Sequence, residues 1–458
     1  MPLLTFAQPN AATATSQRGI ILLTLCLGVL VAQVDTSVVN LAAHPIGMAF
    51  SAPVAALQWV LDGYNLTYAV LLLTGGLLAD LYGRRRAFQA GAAILAAASL
   101  ACALAPTIGI LIAARVAAGA GSALLLPASL AIVRVVWTDP AERRRALGVW
   151  ASCNGLAFVI GPTLGGLLIE HFGWPSVFLI SVPLALAALI LAAWAIDETA
   201  HPQDRHFDLP GQLTGAAALG GLAFAAIDGH QGGHAWIAAL AVSAAAFLCF
   251  LALQRRRGPA ALVPLDLFRN RSFCGAIVAT ASMTFGIYGM IFLMPLVWQA
   301  SGVLGPEGAG IALMPCALVF FLVSSRSGHL TQRIGVRAMT AGGTAIIGIG
   351  LLVLATTHGG LPLPLAAVGL TLTGIGMGLN TGPLMSVAVD SVTAARSGTA
   401  SALINVARMT GATLGVAMLG AAFALWHGGA PGLRAAMLAG GIVQCAGAAV
   451  AYASTLRH

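Results

Sequence analysis

Fourteen apolar runs, each broken from the next by arginine, proline, glycine or histidine, leave this chain few ways to fold. They lie at about 19–41, 55–80, 87–105, 108–133, 146–169, 174–195, 209–228, 233–253, 273–299, 307–328, 338–356, 362–386, 398–425 and 433–455. A helix needs roughly 20 residues to cross about 30 Å of hydrocarbon, so runs of this length predict membrane-spanning helices. Composition agrees: 59% of the 458 residues are hydrophobic and only 8% charged, where a soluble domain has about a quarter charged. The expectation is an all-α integral membrane protein with fourteen crossings and no sizeable soluble domain. The polar first 18 residues lead into a run followed at once by others, so that run reads as a span and not as a cleaved signal. Cysteines 26, 102, 153, 249, 274, 316 and 445 all fall inside apolar runs without CxxC spacing, which reads as packing and not as a disulfide framework or metal site.

The basic residues test the count, and all 22 are arginine. With the N-terminus placed inside, the inner segments hold 19 of them, the outer segments only Arg434, and the spans Arg115 and Arg408. A miscounted span would invert every later loop and destroy this bias, so it predicts both termini on the cytoplasmic side. It also accounts for the net charge of +8 without nucleic-acid binding. A repeat runs through the chain as well. "GLLADLYGRR" (76–85) and "GHLTQRIGVR" (328–337) share glycine, leucine, glycine and arginine at matching places, and "GPTLGG" (161–166) matches "GATLGV" (411–416). Two related halves in parallel order, separated by two extra spans near 209–253, are a secondary-transporter arrangement. The predicted organisation is a six-helix bundle over 1–195, linker segments with two additional helices over 196–272, and a second six-helix bundle over 273–458.

These motifs resemble the major facilitator superfamily along essentially the whole chain, and within it the fourteen-span drug:proton antiporters. "GLLADLYGRRRAF" (76–88) is similar to the loop signature between spans two and three, with Gly76, Leu78, Asp80, Gly83, Arg84 and Arg85 matching and Leu81 standing where many members carry arginine. "LIAARVAAGAGSA" (111–123) resembles the fourth-span signature through Arg115, Gly119 and Gly121, with Ala118 where glutamine is common. "AFVIGPTLGG" (157–166) resembles the antiporter motif of span five through Gly161, Pro162, Gly165 and Gly166. "DTSVVNLAAHP" (35–45) is similar to the subgroup's acid motif, keeping Asp35, Asn40 and Ala42 but carrying Ser37 for threonine and Pro45 displaced by one. "WVLDGYNLT" (59–67) resembles its second-span start through Asp62 and Tyr64. The resemblance implies the facilitator fold of two six-helix bundles plus two helices. It further implies a monomer in a bacterial inner membrane that exports a lipophilic drug, antibiotic or secreted natural product against protons, with no cofactor.

Charges inside spans are costly and tolerated mainly beside a cavity or a partner, which singles out Asp35, Asp62, Arg115 and Arg408. Asp35 is the candidate proton carrier, because a carboxylate in a partly dry cavity gains or loses a proton according to its neighbours, and Arg115 is its candidate partner. Asp62 reads equally as a cavity residue or an interfacial helix start. Arg408 reads equally as lining the second half or as snorkelling toward the cytoplasm. Tyr64 and Asn40 complete the expected substrate cavity. At the charged loop, Gly83 permits a tight turn and the arginines hold it at headgroup level, while Asp80 is placed to pair with an arginine or cap a helix in the opposite half. Gly76, Asp80, Gly83, Arg84 and Arg85 thus form an expected conformational latch.

The ten histidines lack metal-ligand spacing, and no nucleophile elbow, phosphate loop or nucleotide fingerprint occurs. Energy is therefore expected from an ion gradient. Three other readings stand beside export: a facilitator for a housekeeping metabolite, a multi-span transferase, which would need catalytic carboxylates or histidines at one face, and a sensor, which would need an output domain.

Overall fold

The computed structural model describes residues 11–200, 208–229, 234–258, 261, 263–357, 363–392 and 396–454. Among these, sixteen α-helices run in order as α1 (Ala11–Phe50), α2 (Val54–Tyr82), α3 (Arg84–Ala103), α4 (Ile108–Val136), α5 (Pro140–Phe172), α6 (Ser176–Leu179), α7 (Ser181–Ala195), α8 (Leu209–Asp228) and α9 (Ala235–Arg257). They continue as α10 (Arg271–Ala300), α11 (Pro306–Ser324), α12 (Ser327–Ile334), α13 (Val336–Thr356), α14 (Leu363–Asp390), α15 (Ser397–Leu425) and α16 (Gly429–Ser454). Fourteen crossings result, with α6 and α7 making one span (Ser176–Ala195) and the short α12 making none. Residues 230–233, in the connection from α8 to α9 expected to be an outer loop, lie outside the described residues.

The first crossing runs past the end expected near residue 41. His44, Pro45 and Gly47 read as punctuation, yet α1 continues to Phe50 and stops at Ser51, whose φ of 50° is left-handed. Pro45 removes the N–H that would bond the Leu41 carbonyl one turn back. That carbonyl instead accepts a 3.1 Å hydrogen bond from the Gln299 amide at the far end of α10. A proline is tolerated here because a second helix satisfies the freed oxygen.

Helices α1 to α7 pack as one bundle and α10 to α16 as another; they meet where α5 lies along α11, α2 along α15 and α1 along α10. The pair α8–α9 packs outside, α8 against both α2 and α15. Gln212 anchors it by hydrogen bonds to the Thr74 hydroxyl and the Val70 carbonyl, and Ile227 sits in a cluster with Ala55 and Ala417. Asp208 caps α8, accepting from Gly211 N at 2.8 Å, and ties it to α9 through Gln254 and Arg257, each at 3.0 Å.

The two halves repeat each other's local devices. Gly83 (φ 112°) turns the chain between α2 and α3, and Gly335 (φ 87°) does the same between α12 and α13. Gly161 and Gly165 let α5 press on Ser37 and Val38 of α1, while Gly411 and Gly415 let α15 press on the Ala281 and Phe285 carbonyls of α10. A Cβ at any of the four would collide with these atoms, so small residues set the helix spacing, as expected where lipid supplies no hydrophobic drive between helices.

Candidate functional site

The buried ionic chemistry is concentrated in the first bundle. Arg115 on α4 and Asp35 on α1 are both fully enclosed, 2.5 Å apart, with 2% and 0% of their side chains exposed. Arg115 Nε donates to the Val60 carbonyl of α2 at 3.1 Å, and its guanidinium carbon lies 4.6 Å from the Tyr64 ring centroid and 5.7 Å from that of Phe178. The cation thus has a carboxylate, a carbonyl and two aromatic faces, which an interior without water requires. Asp35 is less well served, since its Oδ1 is buried and accepts no hydrogen bond. Because α1 is longer than expected, Asp35 stands near the middle of its span (Gln17–Phe50) instead of in its outer half.

Tyr64 packs in the same cluster, its hydroxyl bridging the Ala32 carbonyl at 3.0 Å and the Ser122 hydroxyl at 2.7 Å. Gly119 on α4 allows this approach, because a Cβ there would strike the Tyr64 carbonyl. Two residues before Tyr64, Asp62 is wholly buried, and neither of its carboxylate oxygens accepts a hydrogen bond.

A cavity lies at the junction of the bundles. Gln33, Thr36, Ser37 and Asn40 of α1 form a polar wall, and Phe158, Tyr288, Ile291 and Leu313 face it as an apolar one. The Thr36 and Ser37 hydroxyls donate to carbonyls of their own helix (Ala32 and Val34), and the Asn40 amide donates to Thr36 O at 3.1 Å, leaving the buried Asn40 Oδ1 without a donor. Of the residues expected around a cavity, Asn40 lines it. Asp62, Tyr64 and Arg408 all lie off its wall, Arg408 standing mid-helix on α15. Arg408 donates to the Asn405 side chain, and its Nε is buried without a partner.

Beyond the cavity, toward the face away from the arginine-rich turns, the bundles are tied together. Gln58 on α2 donates to the Val416 and Ala417 carbonyls of α15 at 2.8 and 2.9 Å, complementing the Gln299 bond to Leu41. The span-five motif contributes here: Pro162 presents its carbonyl to Gly310 of α11, and a Cβ on Gly166 would come within 2.7 Å of the Pro306 carbonyl.

At the arginine-rich face, Asp80 accepts from Arg84 Nε at 3.3 Å and Nη2 at 3.0 Å, one turn away in the same bundle. The start of α3 would otherwise set three arginines against a positive helix end. Glu198, just beyond α7, resolves this: its two oxygens accept from Arg85 N and Arg86 N at 3.1 Å each, and Arg84 N donates to Thr199 O at 3.0 Å. Sequence reasoning missed Glu198, although an acidic pair directly after span six on an arginine-rich face was a readable signal. It also missed Gln58 and Gln299, which only the packing of distant helices identifies. Within the loop signature, Gly76 has open space, since a Cβ there would lie 3.6 Å from Pro127 Cβ, an ordinary contact distance. The neighbouring Gly75 is instead pressed on the Ala123 carbonyl that Pro127 leaves without its helix donor.

Known proteins match this arrangement. The chain is 35% identical over 403 residues to the multidrug resistance protein Stp of Mycobacterium tuberculosis, covering 87% of this chain and 75% of that one. It is 32% identical over 409 residues to the methylenomycin A resistance protein of Streptomyces coelicolor, with 88% and 85% covered. A crystal structure of a bacterial homolog of the human lysosomal transporter Spinster, inward-facing and unoccupied, shares the fold with a TM-score of 0.70 at 18% identity over 98% of each chain. The family model described as Major Facilitator Superfamily matches residues 25–416, and with these relatives it shows that this multi-pass membrane chain is a transporter of the Major Facilitator Superfamily.

Proposed function

We propose that the chain is a proton-driven antiporter that exports small lipophilic molecules of the drug, antibiotic or natural-product kind across a bacterial inner membrane. The names of its relatives, a multidrug resistance protein and a methylenomycin A resistance protein, support the substrate class. The observation that carries the coupling is the enclosed Asp35–Arg115 pair in the bundle that supplies the polar wall of the cavity. A proton arriving on Asp35 cancels its attraction for Arg115, and the guanidinium keeps the Val60 carbonyl and the Tyr64 ring. The link between α1 and α4 therefore loosens or tightens with one proton, as a coupling element must.

In this reading the arginine-rich face is cytoplasmic, both termini lie inside, and the protein acts as a monomer. The ties at Gln58 and Gln299 close the outer side. The segments 1–195 and 273–458 rock about the cavity with 196–272 as a flanking unit. Gly76, Asp80, Gly83, Arg84 and Arg85 form a latch that engages the opposite bundle when the cytoplasmic side closes. In the Gly161, Pro162, Gly165 and Gly166 segment, Pro162 and Gly166 form the sliding contact with α11 of the other bundle, and Gly161 and Gly165 seat α5 on α1.

The test is proton-driven uptake into liposomes together with a drug-susceptibility panel in a pump-deficient host. Asp35→Asn should insert normally, lose accumulation against a gradient and lose the pH dependence of substrate binding. Accumulation by that variant under a pH difference would move the coupling site, with Asp62 next to be examined.

A further inference from the structure

None of the described residues that line the junction cavity carries a charge. Asp35, one residue before the lining Thr36, is taken up by Arg115, and Asp62 is not among the lining residues. Recognition therefore falls to neutral polar groups, and three of these, Thr36, Ser37 and Asn40, stand on one stripe of α1. Each has spent its hydrogens on backbone. The Thr36 hydroxyl donates to Ala32 O at 2.9 Å, the Ser37 hydroxyl lies 3.1 Å from Val34 O and 3.3 Å from Ala157 O, and the Asn40 amide nitrogen donates to Thr36 O at 3.1 Å and Ser37 O at 3.3 Å. A hydroxyl has one proton to give and a primary amide two, so what these side chains keep for a ligand is lone pairs. Asn40 is the sharpest case. It is only 2% exposed, the two carbonyls fix which way its amide faces, and its Oδ1 is buried without a donor. An acceptor left in that state costs free energy, which a matching donor recovers. The width of the cavity changes as the bundles move, but all of these bonds lie inside the first bundle, so α1 offers the same acceptors in every access state.

Resting on the export reading above, we propose that the substrates are uncharged aromatic molecules bearing a hydroxyl or N–H group: that donor bonds Asn40 Oδ1, and the ring system lies against Phe158, Ile291 and Leu313. Asn40 is then the residue that selects a donor-bearing molecule over its alkylated counterpart. Permanent cations are poor substrates, because no carboxylate lines the cavity to replace their hydration.

Three fluorescent probes share one ring system: 2-naphthol, neutral with a donor at pH 7; its methyl ether, neutral without one; and trimethyl(2-naphthyl)ammonium, a cation. Binding to the purified full chain in lipid nanodiscs is read against empty nanodiscs. The wild type should bind the naphthol about tenfold more tightly than the ether, the ratio expected when one buried acceptor goes unmet, and should bind the cation more weakly than the naphthol. Asn40→Leu and Asn40→Ala break only bonds within α1 and should bring naphthol and ether to within about twofold of each other. A steric penalty on the methyl group of the ether would instead survive both substitutions. The proposal is overturned by a wild type that binds naphthol and ether equally, binds the cation best or binds none of the three, and equally by a preference for naphthol that persists in the folded variants. In each of these cases, raised drug tolerance in the susceptibility panel would leave the export reading standing. A correctly inserted wild type that binds no probe and raises tolerance to no drug would overturn both.

Discussion

Removing Arg115 should cost far more than removing the charge of its partner. In Arg115→Ala the Asp35 carboxylate stays fully enclosed, with Oδ1 already lacking a hydrogen bond and Oδ2 losing the 2.5 Å contact it has. An uncompensated buried charge of this kind costs about 3–5 kcal/mol. Asp35→Asn keeps the volume and an oxygen facing Arg115, while the guanidinium retains the Val60 carbonyl and the Tyr64 face, so the loss is the charge assistance of one hydrogen bond, about 1–2 kcal/mol. Combining Asp35→Asn with Arg115→Gln replaces two charges by two amides and leaves no orphaned ion. The double variant should therefore be more stable than the sum of its parts by about 2 kcal/mol. The assay is unfolding of purified protein in mixed micelles, followed by tryptophan fluorescence and helicity. Additive single effects, or an Arg115→Ala protein as stable as Asp35→Asn, would mean that the pair carries little energy and that the coupling argument built on it fails.

Adjacent glycines should behave differently. Gly75→Ala forces a methyl onto the Ala123 carbonyl and should cost about 1–3 kcal/mol, the usual overpacking range, whereas Gly76→Ala makes only an ordinary contact with Pro127 and should stay within about 0.5 kcal/mol; melting of the two purified variants decides. Gln299→Leu frees the Leu41 carbonyl and removes one of the ties between bundles, so the open state on that face should gain about fivefold in population for about 1 kcal/mol, seen as faster thiol labelling at Asn40→Cys in a cysteine-free background. Unchanged labelling would show that the tie does not gate access. Glu198→Gln should loosen the start of α3 by about 1 kcal/mol and speed proteolysis at the Gly83 turn, and an equally protected turn would assign the capping to Thr199 alone.

The crossings were legible because bilayer thickness demands long apolar runs, and the arginine bias guarded the count. The charged pair of the first bundle was legible for the same reason: few ionisable groups survive inside spans, so Asp35 and Arg115 had few partners to choose from. The end of α1 was not, because whether Pro45 stops a helix depends on whether some other group satisfies Leu41, and that group, Gln299, is 258 residues away. The wall of the cavity was hidden likewise. Ser37, Thr36 and Gln33 look like ordinary small polar residues in a span, and Tyr288 and Leu313 become lining residues only when the second bundle meets the first. Tyr64 illustrates the converse. Its motif drew attention to a cavity, but an aromatic ring beside a buried cation is more useful as part of the cation's enclosure.

The repeat clarifies why the chemistry is lopsided. The two halves share their turns and their glycine contacts, yet where the first bundle buries an ion pair, the second buries neutral pairs: Asn380 with the Thr344 hydroxyl at 2.9 Å and the Gln444 amide on the Ser282 carbonyl. Neutral amide and hydroxyl pairs hold helices together without responding to a proton, whereas an ion pair weakens when one partner is neutralised. A bundle fastened by neutral pairs can move as a rigid body while the other registers the proton, and Arg408 is the one charge, among the described residues, that the neutral bundle carries mid-helix on α15, which packs against α2 of its partner. On the proposed coupling, the effect of the proton sensed in the first half would reach the neutral half across a single cavity, through the helices that line it.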